Sequence, residues 1–203
     1  MLLALIAGCG PGAAGAVGSS AEPAAKATAT RAPIAKPKAD RFKSVRTHRA
    51  VPDPVRLRIP AIDVDTPLEH LGRVTHPTEK APLGSIALPV DEDKAGWFDE
   101  GPRPGEPGPA VIIGHINWEH QPSVFAHLSE LDPGATIFVD REDGTVAKFR
   151  VTQRKQVSKS DFPTDEVYAP DLAPSLRLIT CGGPYDAANH NYLDNIIVFA
   201  TPA

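Results

Sequence analysis

Short apolar segments separated by turn residues recur through residues 51–203, and they constrain the fold more than any other feature. Val55–Ile59 alternates apolar and basic residues, which is typical of a strand with one buried face. Ala110–Ile113 and Ile196–Ala200 are continuously apolar, as in fully buried strands. About eight such segments with little helical periodicity predict an all-β fold, a closed or nearly closed eight-stranded barrel with one or two short helices.

The remaining predicted elements follow from the same patterns. Asp143-Gly144 favours a hairpin between two strands. The apolar spacing of Val124, Phe125, Leu128 and Leu131 predicts a short helix over 123–131. Further strands are expected over 60–64, 83–88, 136–140, 145–151 and 176–181, with irregular chain over 156–168 and a loop over 183–191.

Charge and composition divide the chain near residue 50. Residues 1–50 carry eight Lys/Arg and two Asp/Glu, whereas residues 51–203 carry 13 and 23. Residues 10–50 are rich in Ala, Pro and Lys and cannot bury enough apolar surface to offset chain entropy, which indicates a disordered tether. This basic tether either lies against anionic lipid or wall polymer, or is a solvated spacer. Residues 51–203 form the predicted folded domain.

The first nine residues are an apolar run that ends in small residues and Cys9. The run is too short to span a bilayer and resembles the end of a secretory signal. Ile6-Ala7-Gly8-Cys9 resembles a lipobox, in which the cysteine is lipidated after cleavage. A clipped signal or anchor with a chance cysteine is the alternative. Either reading predicts an exported protein that is associated with the membrane through its N-terminus.

Cys181 ends the apolar segment Leu176–Cys181 and precedes Gly182-Gly183. A thiol at the end of a strand, beside a Gly-Gly turn, lies where substrate can approach it. Free cysteine is also among the most buried residue types, so a structural cysteine is the alternative.

His115 occupies a similar position, because it follows the buried segment Ala110–Ile113 and Gly114. A cysteine nucleophile needs a nearby imidazole to favour the thiolate and to protonate a leaving amine. Of the seven histidines, His115 is the one that terminates a predicted buried strand. A structural histidine is again the alternative.

Three motifs in order resemble the sortases, the cysteine transpeptidases of Gram-positive surfaces. They are an opening Ile59-Pro60-Ala61-Ile62-Asp63-Val64, a histidine strand ending at Gly114-His115, and Leu178-Ile179-Thr180-Cys181. The resemblance covers about 52–200. The "CGGPYD", "YLDNIIVFA" and "GWF" sequences are most similar to the actinobacterial class F group.

The resemblance implies the chemistry. Cys181 would attack the Thr–Gly carbonyl of an LPXTG-like sorting signal of a secreted protein and form a thioacyl enzyme. His115 would protonate the departing amine and then deprotonate the incoming one, typically a peptidoglycan precursor. Thr180 would flank the substrate through its backbone or hydroxyl, unless it is simply a strand threonine. No cofactor is implied.

One departure from the family concerns an arginine that sortases usually carry on the strand after the cysteine. No Arg or Lys follows Arg177 in this sequence. The expected position falls near Asp194 or Asn195, and Asn195 could donate a hydrogen bond to an oxyanion. Arg177 shares the strand parity of Cys181, but four residues span roughly 13 Å along a strand. The arginine role therefore has two candidates, Asn195 and Arg177.

Two other functions are alternatives for a chain with these features. An L,D-transpeptidase resembles a Ser-His-Gly run followed closely by Gly-Cys, whereas Cys181 follows Thr180 here. A catalytically impaired sortase-like barrel that binds wall peptide is the other alternative, and the missing arginine supports it. No paired ligand spacing indicates a metal. The acidic domain gives no indication of nucleic-acid binding.

Overall fold

A computed structural model describes residues 50–77, 83–119 and 121–203. The predictions for the signal-like segment, Cys9 and nearly all of the tether lie outside these residues. No helix within the described ranges is long and apolar enough to cross a membrane. The strands are β1 Pro54–Ile59, β2 Val64–Leu71, β3 Ala95–Phe98, β4 Gly108–Gly114, β5 Asn117–Trp118, β6 Gln121–Pro122, β7 Thr136–Arg141, β8 Val146–Ser158, β9 Pro174–Asp186 and β10 Asn191–Pro202, and the α-helix is α1 Thr164–Tyr168.

Eight of these strands close into a barrel in the order β1-β2-β3-β4-β9-β10-β8-β7, and β5 pairs with β6 beside it. Most neighbours are antiparallel, but β2 pairs with β3 and β4 pairs with β9 in parallel. The parallel pairs need long crossover connections: residues 72–94 join β2 to β3, and the chain from β4 to β9 includes the barrel strands β7 and β8. The predicted closed eight-stranded barrel with very few helices is confirmed.

Side chains alternate between the inside and the outside of the barrel because the strand period is two. On β9, Leu176 and Leu178 belong to the interior cluster, where they pack with Trp97, Phe125 and Phe149. Ile179 of the same strand belongs to a second cluster on the outer face. The members of that outer cluster are Leu71, Phe98, Val111, Ile113, Val167, Ile179, Ile197 and Phe199.

Two predicted strand segments are wrong. Pro60–Ile62 is a short 3-10 helix that ends at Asp63 in the left-handed region (φ 53°), so β2 begins only at Val64. Proline fixes φ and lacks an N–H, and it therefore starts this turn rather than continuing β1. Residues 83–88 contribute only an isolated bridge, between Ile86 and Arg73. Leu83 and Leu88 are exposed, whereas Ile86 packs against the outer apolar cluster, so the segment buries one large apolar side chain and not an alternating face.

The region predicted as irregular, 156–168, is largely regular. β8 continues to Ser158, a 3-10 helix covers Lys159–Asp161, and α1 follows at Thr164–Tyr168. Val167 explains the helix, because it is fully buried against the outer cluster. The predicted helix over 123–131 is instead a series of turns followed by a 3-10 helix at Leu128–Glu130, and its leucine is buried as expected.

The sequence predicts that Gly182 and Gly183 end the strand, and this prediction is wrong. β9 continues to Asp186 and forms a hairpin with β10. A Cβ at Gly182 would lie 2.6 Å from Ile196 Cγ1. Gly183 has φ 71°, and a Cβ there would meet the Asp194 carboxylate. The glycines are therefore required by side chains on β10 and not by a chain reversal.

Candidate active site

His115, Cys181 and Asn195, called the row below, come from neighbouring parts of the barrel: Cys181 from β9, Asn195 from β10 and His115 from just past the end of β4. The parallel register of β4 and β9 ends at Ile113 and Ile179, and Cys181 follows His115 by the same 66 residues (181 minus 115). We infer from this register that His115 lies beside Cys181. On the other side of β9, Cys181 pairs directly with Asn195. Neighbouring strands lie about 4.8 Å apart, so the three backbones are close enough for their side chains to meet one substrate.

The row faces outward from the barrel. Ile196, the neighbour of Asn195, packs inside, whereas Ile197 belongs to the outer cluster. By strand alternation, Cys181 and Asn195 share the outer face with Ile179 and Ile197. Cys181 is a free, half-buried thiol. A nucleophile on this face is held by a rigid strand and remains open to substrate.

His115 is held from two sides. Its Nε2 lies 3.0 Å from the carbonyl oxygen of Pro89. Its ring meets the Trp118 ring edge-on, with the centroids 5.3 Å apart. The His115 carbonyl accepts a hydrogen bond from the Phe125 backbone N–H at 2.9 Å, which anchors the end of β4 to the following turn. The imidazole is thus positioned by neighbours that lie outside its own strand.

Asn195 and Asp194 have different surroundings. Asp194 pairs with Gly182, and its carboxylate accepts a 2.6 Å hydrogen bond from Gln156 Nε2. Asn195 is half-buried beside Cys181, and no described residue is hydrogen-bonded to its side-chain amide. Of the two positions expected to replace the arginine, Asn195 is the one that offers a donor on the face of the thiol.

Arg177 is on the outer face but packs away from the row. Its guanidinium lies over the Phe199 ring, 4.7 Å from the centroid, and its Nη1 donates to the Leu176 carbonyl at 3.2 Å. Burial lowers the pKa of Arg177, and the charges of Glu166 and Asp171 partly oppose this. The structure therefore does not bring Arg177 to Cys181, because their separation remains about 13 Å along β9.

Thr180 has the opposite orientation to its neighbour Cys181. Its side chain is buried, and its Oγ1 has no hydrogen-bond partner among the described residues. Strand alternation directs it to the barrel interior, where its β10 partner Ile196 also packs. A contact between Thr180 and a substrate on the outer face would have to use its backbone.

An aromatic wall beside the row was not predicted from the sequence. Tyr185 and Tyr192 pair across the β9–β10 hairpin, with ring centroids 5.1 Å apart. Asn117 Nδ2 donates to the Tyr192 hydroxyl at 3.0 Å, which joins the hairpin to the segment that carries Trp118. Tyr185 and Trp118 are 46% and 43% exposed, so the wall is open to a ligand. The sequence does not reveal this wall, because the region reads as a loop rich in Gly, Asn and Asp. In the structure it forms the ends of two long paired strands.

A cavity of about 490 Å³ lies elsewhere, at the β1–β2 turn. Its lining includes Asp63, Thr66 and Ser123, and none of the three row residues. The row itself is an open face, which suits an extended peptide better than a small enclosed ligand. Across 50–77, 83–119 and 121–203, no group of three or more His, Cys, Asp or Glu side chains could hold a metal ion.

Comparisons with known proteins agree with this architecture. The sortase domain family matches residues 57–203, more than half of the chain. Sortase A from Corynebacterium diphtheriae (lid mutant) superposes with a TM-score of 0.54 and 23% identity, covering 77% of this chain and 74% of that one. Sortase C-1 from Actinomyces oris gives a TM-score of 0.53 and 23% identity, covering 74% of this chain and 75% of that one.

Sortase C1 from Streptococcus agalactiae gives a TM-score of 0.55 and 19% identity, covering 73% of this chain and 66% of that one. No curated protein matches the sequence. The structural likenesses show the shared fold, and the family match carries the assignment. The chain belongs to the sortase family of cysteine transpeptidases.

Proposed function

We propose that the protein cleaves an LPXTG-like sorting signal of an exported protein at the Thr–Gly bond and transfers the acyl part to a cell-wall amine. The observation that supports this most is the row of His115, Cys181 and Asn195 on one open face. It supplies a nucleophile, an acid–base group and a hydrogen-bond donor on neighbouring strands. The "CGGPYD" and "YLDNIIVFA" sequences favour class F within the family.

In the first half-reaction, the Cys181 thiolate forms a C–S bond to the threonine carbonyl carbon. The C–N bond then breaks as the His115 imidazolium gives its proton to the departing amine, and a thioester remains on Cys181. The thiolate is the reactive form of the thiol, and an imidazolium neighbour favours it.

In the second half-reaction, the acceptor amine attacks the thioester carbonyl. His115 takes the proton of the attacking nitrogen, the C–S bond breaks, and Cys181 leaves as the thiolate. His115 thus returns to its starting protonation state, and the only net change is the exchange of one amide for another. A peptidoglycan precursor amine fits this second step as the acceptor.

Asn195 is proposed as the donor to the oxyanion that forms in both half-reactions. Its amide lies in register with Cys181 and carries no competing hydrogen bond from a described residue. A neutral amide stabilises an oxyanion less than a cationic arginine would, because charge-assisted hydrogen bonds are roughly twice as strong as neutral ones. Arg177 packs on Phe199 about 13 Å along β9 from Cys181, so we assign it no direct part in the reaction.

Location follows from the same proposal. Sortases generally act outside the cytoplasmic membrane, and residues 1–50 would attach the domain there, through lipidated Cys9 or through an anchor. Residues 51–203 would be the catalytic domain. A sorting-signal peptide, a wall amine and the membrane are the partners that this arrangement requires.

A second candidate function is a sortase-like barrel that holds wall peptide without reacting. It is favoured by the absence of any Lys or Arg after Arg177. On this reading Asn195 would bind a peptide carbonyl and would not accelerate acyl transfer. The two candidates make opposite predictions about the thiol.

The test uses the full chain and an LPXTG peptide carrying a vinyl sulfone in place of the scissile carbonyl. Peptide mapping after trapping should find the adduct on Cys181 in the wild type and in Cys9→Ser, and no adduct in Cys181→Ala. A plain LPXTG peptide should in addition give a thioacyl mass that a wall-like amine discharges. Peptide binding without an adduct would instead support the binding module.

A further inference from the structure

We propose that Glu69 is a positioning residue for His115, acting through the backbone of Pro89, Val90 and Asp91. The expected effect of Glu69 on the reaction rate rests on the proposed function. The expected effect of Glu69 on the His115 imidazole does not rest on it. Glu69 touches none of the reacting groups, and it acts by holding the carbonyl that receives the His115 Nε2–H.

The first step concerns the ring nitrogens of His115. A backbone carbonyl can only accept a hydrogen bond, so the Nε2 atom 3.0 Å from the Pro89 oxygen must carry the proton. In the neutral ring, Nδ1 is then the nitrogen with a free lone pair. The Pro89 carbonyl thus selects one tautomer and fixes the rotation of the ring at the same time.

The second step is what holds that carbonyl. Pro89 belongs to no strand, and therefore no sheet ladder fixes its backbone. The next two backbone N–H groups both donate to Glu69: Val90 N lies 2.9 Å from Oε2, and Asp91 N lies 3.3 Å from Oε1. One carboxylate thus grips consecutive peptide groups immediately after the carbonyl that faces His115.

The rest of the segment is stiffened locally. The Asp91 carbonyl accepts from Lys94 N at 3.1 Å, and its carboxylate accepts from Asp93 N at 3.1 Å. Lys94 Nζ also pairs with the Asp91 carboxylate at 2.8 Å. These contacts close a compact turn. Its far end is tied separately, because Thr66 Oγ1 on β2 donates to the Asp93 carbonyl at 3.1 Å and the Ser123 hydroxyl donates to the Glu92 carbonyl. Glu69 ties the end next to Pro89 to the barrel.

Glu69 is well placed for this role because it stands on a barrel strand. On β2 it pairs with Gly96, which pairs with Ile113, which in turn pairs with Ile179. In this set of paired residues, Ile113 precedes His115 by two positions in the chain, and Ile179 precedes Cys181 by two. A rigid β2 position can thus fix a loop contact on the catalytic imidazole, and groups that must be aligned gain most from such supporting contacts.

The matched control is Glu100, a carboxylate with the same kind of contact. Its Oε1 accepts from the Arg73 backbone N–H at 3.2 Å, and its Oε2 contacts Arg73 Nε at 3.1 Å. It also holds the connection between β2 and β3, but through Arg73, and its hydrogen bonds do not reach Pro89, Val90 or Asp91. Glu100→Ala therefore reports the general cost of removing a loop clamp.

The direct test measures the long-range ¹H–¹⁵N spectrum of the His115 ring, assigned by its loss in His115→Asn. Spectra recorded at a pH at which the ring is neutral should show it protonated at Nε2 in the wild type and in Glu100→Ala. Glu69→Ala should show a mixture of tautomers. Glu69→Gln should restore the wild-type pattern only in part, because its single amide oxygen can replace one of the two carboxylate oxygens that accept from Val90 N and Asp91 N. Glu69→Met, which keeps the length of the side chain, replaces Glu69→Ala if the alanine variant does not fold. An unchanged tautomer in the folded variant overturns the proposal.

The kinetic test compares an LPXTG-like peptide amide with an activated ester of the same acyl peptide. The ester's leaving group needs no proton, whereas the departing amine does. Glu69→Ala should lower kcat for the amide roughly tenfold, with KM little changed, and leave the ester rate unchanged. Equal losses on both substrates would indicate a structural role and overturn the proposal.

These two measurements separate the inference from the proposed function. If the wild type turns over neither substrate, the proposed function fails and the spectrum still decides the role of Glu69. If the wild type is active but the tautomer of Glu69→Ala is unchanged, the inference alone fails.

Discussion

Two halves of one outer barrel face are built from the same strands and differ in what covers them. In the lower half, Ile179 and Ile197 pack with Phe199 beneath Val167 of α1. In the upper half, Cys181 and Asn195 continue the same alternation, but they remain only half-buried and beside the aromatic wall. A few residues along one strand thus separate a packed surface from a reactive one.

From this comparison we expect stability and chemistry to depend on distinct parts of β9 and β10. The covered half contributes burial of apolar area, which favours the folded state by about 25 cal/mol per Å². The open half leaves a thiol, an imidazole and an amide free for a ligand. Substitutions in the upper half should therefore change rate, and those in the lower half should change the free energy of unfolding.

The largest effect is expected from Cys181→Ala. It should abolish both transfer and hydrolysis, because the described domain contains no other thiol. The melting temperature should be close to that of the wild type, since the side chain fills no core space. Turnover of a sorting peptide by mass spectrometry and thermal unfolding by circular dichroism are the measurements. Continued transpeptidation by this variant would remove Cys181 from the reaction.

His115→Ala should come next, with a loss of roughly a thousandfold in kcat/KM, as for removal of a general acid–base group. The leaving amine would have no acid, and the thiol would lose its imidazole neighbour. The fold should persist, because His115 lies past the end of β4. Single-turnover acylation followed by quenching isolates the affected step. A fall in unfolding midpoint large enough to explain the lost rate would contradict the separation of the two halves.

Asn195→Ala should lower kcat by about a hundredfold if the amide serves the oxyanion. Asn195→Asp, which keeps the shape but removes the donor, should lose at least as much. Arg177→Ala should have a much smaller effect, because that guanidinium packs on Phe199. Initial rates for the three variants at saturating peptide provide the measurement. The reverse order would transfer the oxyanion role to Arg177.

When every predicted effect is expressed as a free energy, the smallest is expected from Val167→Ala in the covered half. Loss of two buried methyl groups and the resulting cavity should cost about 2 kcal/mol of unfolding free energy. The rate per folded molecule should stay unchanged, since Val167 contacts the lower cluster only. Urea unfolding and active-site titration with the vinyl sulfone peptide measure the two quantities. A loss of rate without a loss of stability would show that the halves are coupled.

The sequence could predict most of the barrel strands because apolar segments leave local signals, and the catalytic roles of His115 and Cys181 stay a prediction. Apolar alternation marked β1, and the 66-residue spacing of His115 and Cys181 agrees with the parallel register. The continuation of β9 through Gly182 and Gly183 could not be predicted. Those glycines make room for Ile196 and Asp194, which belong to another strand. The Pro89 contact on His115 could not be predicted for the same reason, since it joins His115 to a carbonyl that lies 26 residues earlier in the chain.

The parallel pairing of β4 with β9 has a consequence for how activity appears during folding. It joins segments separated by 66 residues, among the more distant contacts of the barrel. Contacts distant in sequence bear loop-closure entropy and form slowly compared with neighbouring hairpins. An unfolded or half-folded chain therefore carries a thiol without its imidazole. Reactivity and completion of the barrel should emerge together, so that the protein acquires its nucleophile only when it can also hold a substrate.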